Sequence, residues 1–148
     1  MLRSLFPLAL TGTLLLMSTP SSVALGGVEG NRESGGGARA AASSDGRYVA
    51  FDSAASNLVS NDTNNEPDVF VHDDATGETT RVSVDSAGNQ ANAGSLHVAM
   101  SADGRYVAFA SYASNLVSGG TNGMLQVFVH DRDTGETTLA STDSAGNQ

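Results

Sequence analysis

Short apolar runs bounded by turn residues set the pattern of most of this chain. The runs YVAF and VFV each occur twice, and they are continuous instead of alternating with polar residues. Such runs are typical of strands that are buried on both faces. Asp-Gly and Thr-Gly pairs separate the runs, and their glycines supply the positive φ that tight hairpin turns require. With no helical periodicity after the N-terminal segment, the pattern predicts an all-β fold.

The apolar runs and turns predict two groups of four strands. Tyr, Val, Phe and Thr, which suit a pleated surface, are frequent in these stretches. The strands predicted in the first group are Ala38–Ser43, Arg47–Ser53, Asp68–Asp73 and Glu78–Val84. Those predicted in the second group are Leu96–Ser101, Arg105–Ser111, Gln126–Asp131 and Glu136–Thr142. Each group is expected to form one four-stranded antiparallel meander.

An internal repeat relates the two groups. Residues 43–90 align without gaps on residues 101–148, a shift of 58, and 34 of the 48 positions are identical. The shared blocks are DGRYVAF, ASNLVS, VFVHD, TGETT and DSAGNQ. On the same shift, Gly30-Asn31 matches Gly88-Asn89 and Gly36 matches Gly94. The repeat predicts a first unit at 25–90 and a second unit at 91–148.

The N-terminal segment has the features of a signal peptide. Arg3 gives it a positive start, the apolar stretch Leu5–Met17 is shorter than the roughly 20 residues of a bilayer span, and small residues end at Ala24. These features predict cleavage after residue 24 and a secreted or periplasmic protein; the alternative is a retained membrane anchor. No later segment is apolar enough to span a membrane.

Composition narrows the classes of partner. The chain has 148 residues, a formal net charge of −9 and seven basic residues, all arginine and none clustered. Electrostatic binding of nucleic acid is therefore not expected. The chain has no cysteine, which excludes disulfides and thiolate metal sites.

The repeated motifs resemble a known family. The sequence SxDGRYVAF, a polar loop, DVFVHD and TGETT are similar to the WD40-like repeats of TolB-like β-propellers, and the similarity spans nearly all of the chain after residue 24. The resemblance implies that each unit is one propeller blade. It also implies an exported binding scaffold or, as in some peptidases, a domain that filters substrates.

Two blades make an incomplete ring, because closed propellers have about four to eight. Three explanations remain open: a fragment of a longer propeller, an assembly of several chains, and two units folding alone as an open sandwich. Within the chain itself, two blades leave the two outer apolar faces of the pair without a neighbour. Phenylalanines and the valines beside them are expected to supply that surface: Phe51, Phe70, Phe109 and Phe128.

The units differ most in the loop before the third strand, where the first reads NDTNNEPD and the second GGTNGMLQ. The first loop places oxygen ligands at alternate positions, as a hard cation such as Ca²⁺ prefers. The predicted ligands are Asp62, Asn64, Glu66 and Asp68. Pro67 stands where calcium loops have glycine, so a polar surface turn is the alternative. Ca²⁺ is the one cofactor that the sequence suggests.

Catalytic motifs are absent from the sequence. There is no G-x-S-x-G nucleophile motif. The pairs His72-Asp73 and His130-Asp131 recur in both units, which favours a structural hydrogen-bonding pair, and His97 is expected to be an ordinary strand residue. Gly35–Gly37 is interpreted as a flexible linker. The sequence therefore predicts that the chain is not an enzyme.

Together these features predict an exported, non-catalytic propeller-type scaffold that binds a protein or peptide through its loops. The chain would be a fragment or a subunit of a larger ring, and a homo-oligomer is one form of that expectation. Two alternatives remain: the blade pair of a substrate-gating propeller in a larger hydrolase, and a calcium-binding surface repeat protein.

Overall fold

The computed structural model describes residues 30–34 and 40–148. The signal peptide predicted at 1–24 lies outside these residues. The described part of the chain is all-β, with two four-stranded antiparallel sheets in which sequential strands are neighbours. This confirms the predicted fold class. Over the same ranges, no helix has the length and apolar character needed to cross a bilayer.

Each unit forms one of the two sheets. The first sheet contains β1 (Ala41–Ala42), β2 (Tyr48–Ser53), β3 (Asp68–Asp73) and β4 (Glu78–Arg81). The second contains β5 (Ser95–Met100), β6 (Tyr106–Ser111), β7 (Gln126–Asp131) and β8 (Thr137–Leu139). β3 and β7 match the predicted strands residue for residue.

The fourth strand of each sheet is shorter than predicted. After β4, the amides of Val82 and Ser83 both donate to the carbonyl of Val69, at 2.8 and 3.4 Å. After β8, two consecutive amides likewise donate to the carbonyl of Val127. Because two amides share one acceptor, the one-to-one ladder of a regular strand ends there.

The predicted glycine turns are confirmed. Gly46 and Gly104, in the two Asp-Gly turns, have φ of 74° and 75°. In each turn the aspartate before the glycine accepts hydrogen bonds from a serine hydroxyl and from the amide of the arginine that immediately precedes the next strand. The same local chemistry therefore builds both hairpins.

The predicted alignment of the two units, with a shift of 58, is wrong for the residues that precede Ala41. The Ser34 hydroxyl lies 2.8 Å from the Ser53 hydroxyl, and the Ser95 hydroxyl lies 3.0 Å from the Ser111 hydroxyl. Ser34 thus occupies the place of Ser95, a shift of 61. A hydrogen-bonding asparagine shows the same offset, since Asn31 binds Ser56 as Asn92 binds Ser114.

The offset locates an insertion in the first unit. Ala41 pairs with Ala50 as Ala99 pairs with Ala108, so the shift has returned to 58 by residue 41. Three extra residues therefore lie between positions 34 and 41, in the stretch that contains the three consecutive glycines. Gly36 consequently has no counterpart in Gly94.

His97 is not an ordinary strand residue. Its φ is 58°, in the left-handed region, and the pairing of β5 with β6 shifts register between Leu96 and Ala99. Both features mark a β-bulge, which leaves the His97 side chain exposed. A bulge depends on pairing across strands, and the sequence of one strand does not reveal it.

The core lies between the two sheets. We call the side of the first sheet that meets the second unit its trailing face, and the opposing side of the second sheet its leading face. The trailing face contributes Tyr48, Ala50, Val69, Val71 and Val82 to the core. The leading face contributes Val98, Val107, Phe109, Leu116 and Phe128. β5 contacts β1, β2 and β3 across this interface.

The phenylalanines were expected on bare outer faces, and the structure places most of them inside. Phe109 and Phe128 are buried between the sheets, and Phe70 is buried within the first unit. Phe51 alone of the four is partly exposed. Each phenylalanine lies on a leading face, and the second unit's leading face is the covered one.

Candidate functional site

The trailing face of the second unit is uncovered. It consists of Tyr106, Ala108, Val127 and Val129, the repeats of Tyr48, Ala50, Val69 and Val71. The exposure of Val127 is 42%, whereas that of Val69 is 0%. Tyr106 is also 42% exposed, although Tyr48 packs into the core. The same apolar surface is therefore internal in one unit and open to solvent in the other.

Strand alternation explains why these side chains share a face. Successive residues of a strand point to opposite sides, and Ala108 pairs directly with Val129 across β6 and β7. The intervening residues Val107 and Phe109 point to the leading face and are buried. Because the strand has apolar residues on both sides, covering one side leaves the other exposed.

The first unit shows how such a trailing face is covered. Gly104 of the second unit lies against the ring of Tyr48, and the guanidinium carbon of Arg132 lies 4.1 Å from the centroid of that ring. The amide of Ser44 donates to the carbonyl of Ala102 at 2.7 Å. An apolar face, a glycine turn and a backbone hydrogen bond thus form the interface.

The rim of the uncovered face is more apolar than its repeat. Met124 and Leu125 are exposed there, at 62% and 44%. Their repeats in the first unit are Glu66 and Pro67, both of which lie beside Gly94 of the second unit. The rim position therefore contacts the neighbouring unit where one is present. Substitution by two large apolar residues extends the bare apolar surface.

The leading face of the first unit is also incompletely covered. Its members Val49, Phe51 and Leu58 are only partly buried. Their repeats in the second unit, Val107, Phe109 and Leu116, are buried against the first unit. The chain thus presents one partly open leading face at its first unit and one open trailing face at its second.

The predicted calcium ligands divide into two pairs. Asp62 and Asp68 both accept hydrogen bonds from the side-chain nitrogen of Gln90, at 2.9 and 2.7 Å. The Arg81 guanidinium lies 3.8 Å from Asp62 and 3.5 Å from Asp68. Arg81 therefore already places a positive charge between these two carboxylates.

The other two predicted ligands face elsewhere. The Asn64 amide nitrogen donates to the carbonyl of Ala91, and its oxygen accepts from the amide of Glu66. Glu66 itself is exposed. Over residues 30–34 and 40–148, no group of three or more acidic, histidine or cysteine side chains is placed to hold a metal ion. Calcium binding stays a prediction.

Asp68 is the most deeply buried of these carboxylates. Burial raises its pKa, while hydrogen bonds from Ser83 and Gln90 and the charge of Arg81 act in the opposite direction. In the second unit the corresponding residues are Gln126 in place of Asp68 and Leu139 in place of Arg81. The acid and the base are replaced together, as expected for a buried ion pair.

The recurring histidine and aspartate bind different partners. The His72 ring nitrogen Nδ1 lies 3.0 Å from the Thr79 hydroxyl, on the neighbouring strand. Asp73 accepts two hydrogen bonds from Arg47, which lower its pKa to about 2. The predicted pair of His72 with Asp73 therefore does not form: His72 joins β3 to β4, and Asp73 binds the arginine just before β2. The second unit repeats both contacts.

A groove of about 720 Å³ is lined by residues of both units. Asp85 and Ser86 line one side, and Glu136, Thr137 and Leu139 of the second unit line the other. The Thr137 hydroxyl donates to the carbonyl of Val84 across its end, at 2.6 Å. The groove is a gap between the units that hydrogen bonds bridge.

No known protein family and no curated protein matches the sequence. Among solved structures, the chain is similar to TolB from Acinetobacter baumannii, with 17% sequence identity and a TM-score of 0.24. The similarity covers 68% of this chain and 31% of TolB. The chain therefore spans about a third of the length of that protein.

Proposed function

We propose that the chain is an exported, non-catalytic scaffold that binds protein through the trailing face of its second unit. One observation carries this proposal: Val127 is exposed where Val69, its repeat, is fully covered by a β-sheet. A contiguous exposed apolar face of this kind is typical of protein interaction sites. The partner should present a β-sheet face with aliphatic and aromatic side chains.

The absence of catalysis is part of the proposal. The histidines and the arginine-bound aspartates recur in both units at equivalent positions with the same partners. Residues repeated in this way hold strands together, whereas a catalytic group is needed only once. Asp62 and Asp68, which do not recur, are engaged by Arg81.

Site-specific photo-crosslinking tests the proposed function. A photoreactive residue replaces Val127, with the same replacement at Ser118 as the control, since Ser118 is exposed in the same unit but outside the trailing face. We expect a protein adduct from position 127 in the exported fraction of the producing cells, and none from position 118. Equal labelling from both positions, or none at position 127, would overturn the proposal.

A further inference from the structure

We infer that two copies of this chain associate head to tail. The leading face of the first unit in one copy covers the trailing face of the second unit in the other copy. The inference rests on the proposed function and names the partner for the same surface. Each chain carries one open trailing face and one partly open leading face, and the contact between its own two units shows how such faces fit.

The complementary surface is present in the chain itself. The trailing face of the first unit is covered by Val107, Phe109 and Leu116. The first unit bears the same residue types at the equivalent positions, Val49, Phe51 and Leu58, and there they are only partly buried. An incoming first unit therefore presents the same three side chains that the second unit uses within the chain.

The glycine turn is repeated as well. Gly104 lies against Tyr48 within the chain, and Gly46 is its repeat. Gly46 has the same left-handed backbone, and a Cβ added to it would meet no heavy atom within 4 Å. The turn is thus free to lie against Tyr106 of another copy, and Tyr106 is 42% exposed.

Three differences make the intermolecular contact weaker than the internal one. Arg132, which stacks on Tyr48, has Asp74 as its repeat, so this cation–π contact is lost. Glu33 occupies the place of Gly94, because the Ser53 hydroxyl donates to the Glu33 carbonyl as the Ser111 hydroxyl donates to the Gly94 carbonyl. The first unit's leading face also carries the charged pair Asp68 and Arg81, where the second unit has Gln126 and Leu139. Exposed Met124 and Leu125 add apolar area that partly offsets these losses.

Such a contact joins two different surfaces, so each added copy presents a new open trailing face. Head-to-tail contacts generate a closed ring when the rotation closes and a filament when it does not. Two copies would supply four blades, which is the smallest ring of this kind, and further copies give larger rings or a filament. The assembly would therefore bury every trailing face in a ring, or all but the last in a filament.

Sedimentation of the chain purified from the exported fraction tests the inference. We expect the wild type to form concentration-dependent oligomers, and Val127→Glu and Val49→Glu each to be monomeric. An equimolar mixture of these two variants should form a discrete dimer, because one supplies an intact leading face and the other an intact trailing face. Ser118→Glu should assemble like the wild type.

Several results would overturn the inference. A wild-type chain that stays monomeric at every reachable concentration would do so, as would a mixture of the two variants that fails to form a dimer. Persistent dimers of Val49→Glu would instead indicate a symmetric contact between two trailing faces. Circular dichroism and cooperative unfolding must show that both variants are folded, and Tyr106→Glu replaces Val127→Glu if that variant is not.

Crosslinking separates this inference from the proposed function. A photoreactive residue at Val127 should give an adduct of twice the chain mass, with the attachment near Val49 in the second copy. An adduct of another mass from a monomeric chain would leave the proposed function standing and remove the inference. No adduct at all would remove both.

Discussion

Gly104 of the second unit lies directly against the ring of Tyr48 in the first. A Cβ added at Gly104 would lie 2.4 Å from Cδ2 of Tyr48, closer than any ordinary contact. The equivalent Gly46 has nothing within 4 Å of such an atom, although its φ is nearly identical. Both glycines therefore permit the turn, but only Gly104 also packs against the neighbouring unit.

This pair of glycines gives a matched stability experiment. Gly46→Ala should cost about 1–2 kcal/mol, the usual penalty of a left-handed backbone for a residue with a Cβ. Gly104→Ala should cost about 1–3 kcal/mol more, because Tyr48 or the turn must move. Urea unfolding of both variants measures the difference.

Equal losses in the two variants would show that Gly104 does not pack on Tyr48. A Tyr48→Ala background provides the control, since removing the ring should bring the cost of Gly104→Ala close to that of Gly46→Ala. The two substitutions would then couple, as residues in contact do.

Much of the fold follows from the sequence because the repeat and the turn glycines constrain it together. β3 and β7 begin at the end of a polar loop and end at an aspartate before a turn, so both limits were predictable. The first strand was predicted less well. β1 spans Ala41–Ala42, whereas Ser34 pairs with Ser53 in a separate bridge, and the three-residue insertion between them interrupts the repeat that guided the alignment.

The candidate site was predictable only in outline. Two bare outer faces follow from two blades, but the continuous apolar runs do not say which side of a strand meets the neighbouring unit. Tyr106 was therefore missed, and Val127 was expected on the surface together with Phe128, which the structure buries. The partner of Asp68 was missed because Arg81 is 13 residues away in sequence. The available signal was that Leu139 replaces Arg81 directly after the repeated block TGETT.

The buried pair of Asp68 and Arg81 should be sensitive to single substitution. Arg81→Leu introduces the residue of the second unit but leaves Asp68 without its positive partner, which should cost about 3–5 kcal/mol. Arg81→Leu combined with Asp68→Gln, the pair found in the second unit, should recover a large part of this loss. Chemical denaturation of the wild type, the single variants and the double variant measures the coupling.

The pH dependence of Arg81→Leu provides a second readout. Burial raises the pKa of Asp68 above its ordinary value of 3.8, so the folded chain binds this proton more tightly than the unfolded chain does. Protonation therefore relieves the cost of the buried charge, and the loss in Arg81→Leu should shrink as the pH falls toward 3.8. A loss that is independent of pH would show that Asp68 is not the unpaired group.

Asp73 should titrate in the opposite sense. Its hydrogen bonds from Arg47 lower its pKa from 3.8 to about 2, so the ionised form is favoured in the folded chain. This contribution to stability is present above pH 3.8 and is lost as the pH falls through about 2. Arg105 lowers the pKa of Asp131 for the same reason.

Thermal unfolding across this pH range checks the assignment. We expect the wild-type midpoint to fall on acidification and the drop to be smaller in Asp73→Asn, smaller in Asp131→Asn and smallest in the double variant. A double variant with the full wild-type drop would place the acid sensitivity at other carboxylates.

Calcium binding by the first loop predicts a melting midpoint that depends on the metal, whereas the ion pair with Arg81 predicts one that does not. If the first loop binds Ca²⁺, millimolar metal should raise the melting midpoint of the wild type, and Asp62→Ala should abolish the rise. If Asp62 and Asp68 serve only as partners of Arg81 and Gln90, the midpoint should not change. An equal rise in Asp62→Ala would assign the effect to another part of the chain.

Val69 and Val127 provide the most direct test of the relation between covered and open faces. Val69→Ala removes buried methyl groups and leaves a cavity between the sheets, which should cost about 2–3 kcal/mol. Val127→Ala should change the stability of the monomer by less than about 0.5 kcal/mol, as exposed substitutions usually do. If copies associate through this face, the cost of Val127→Ala should grow with protein concentration, because association stabilises the folded chain by mass action. The cost of Val69→Ala should stay constant, and unfolding curves recorded over a series of concentrations distinguish the two behaviours.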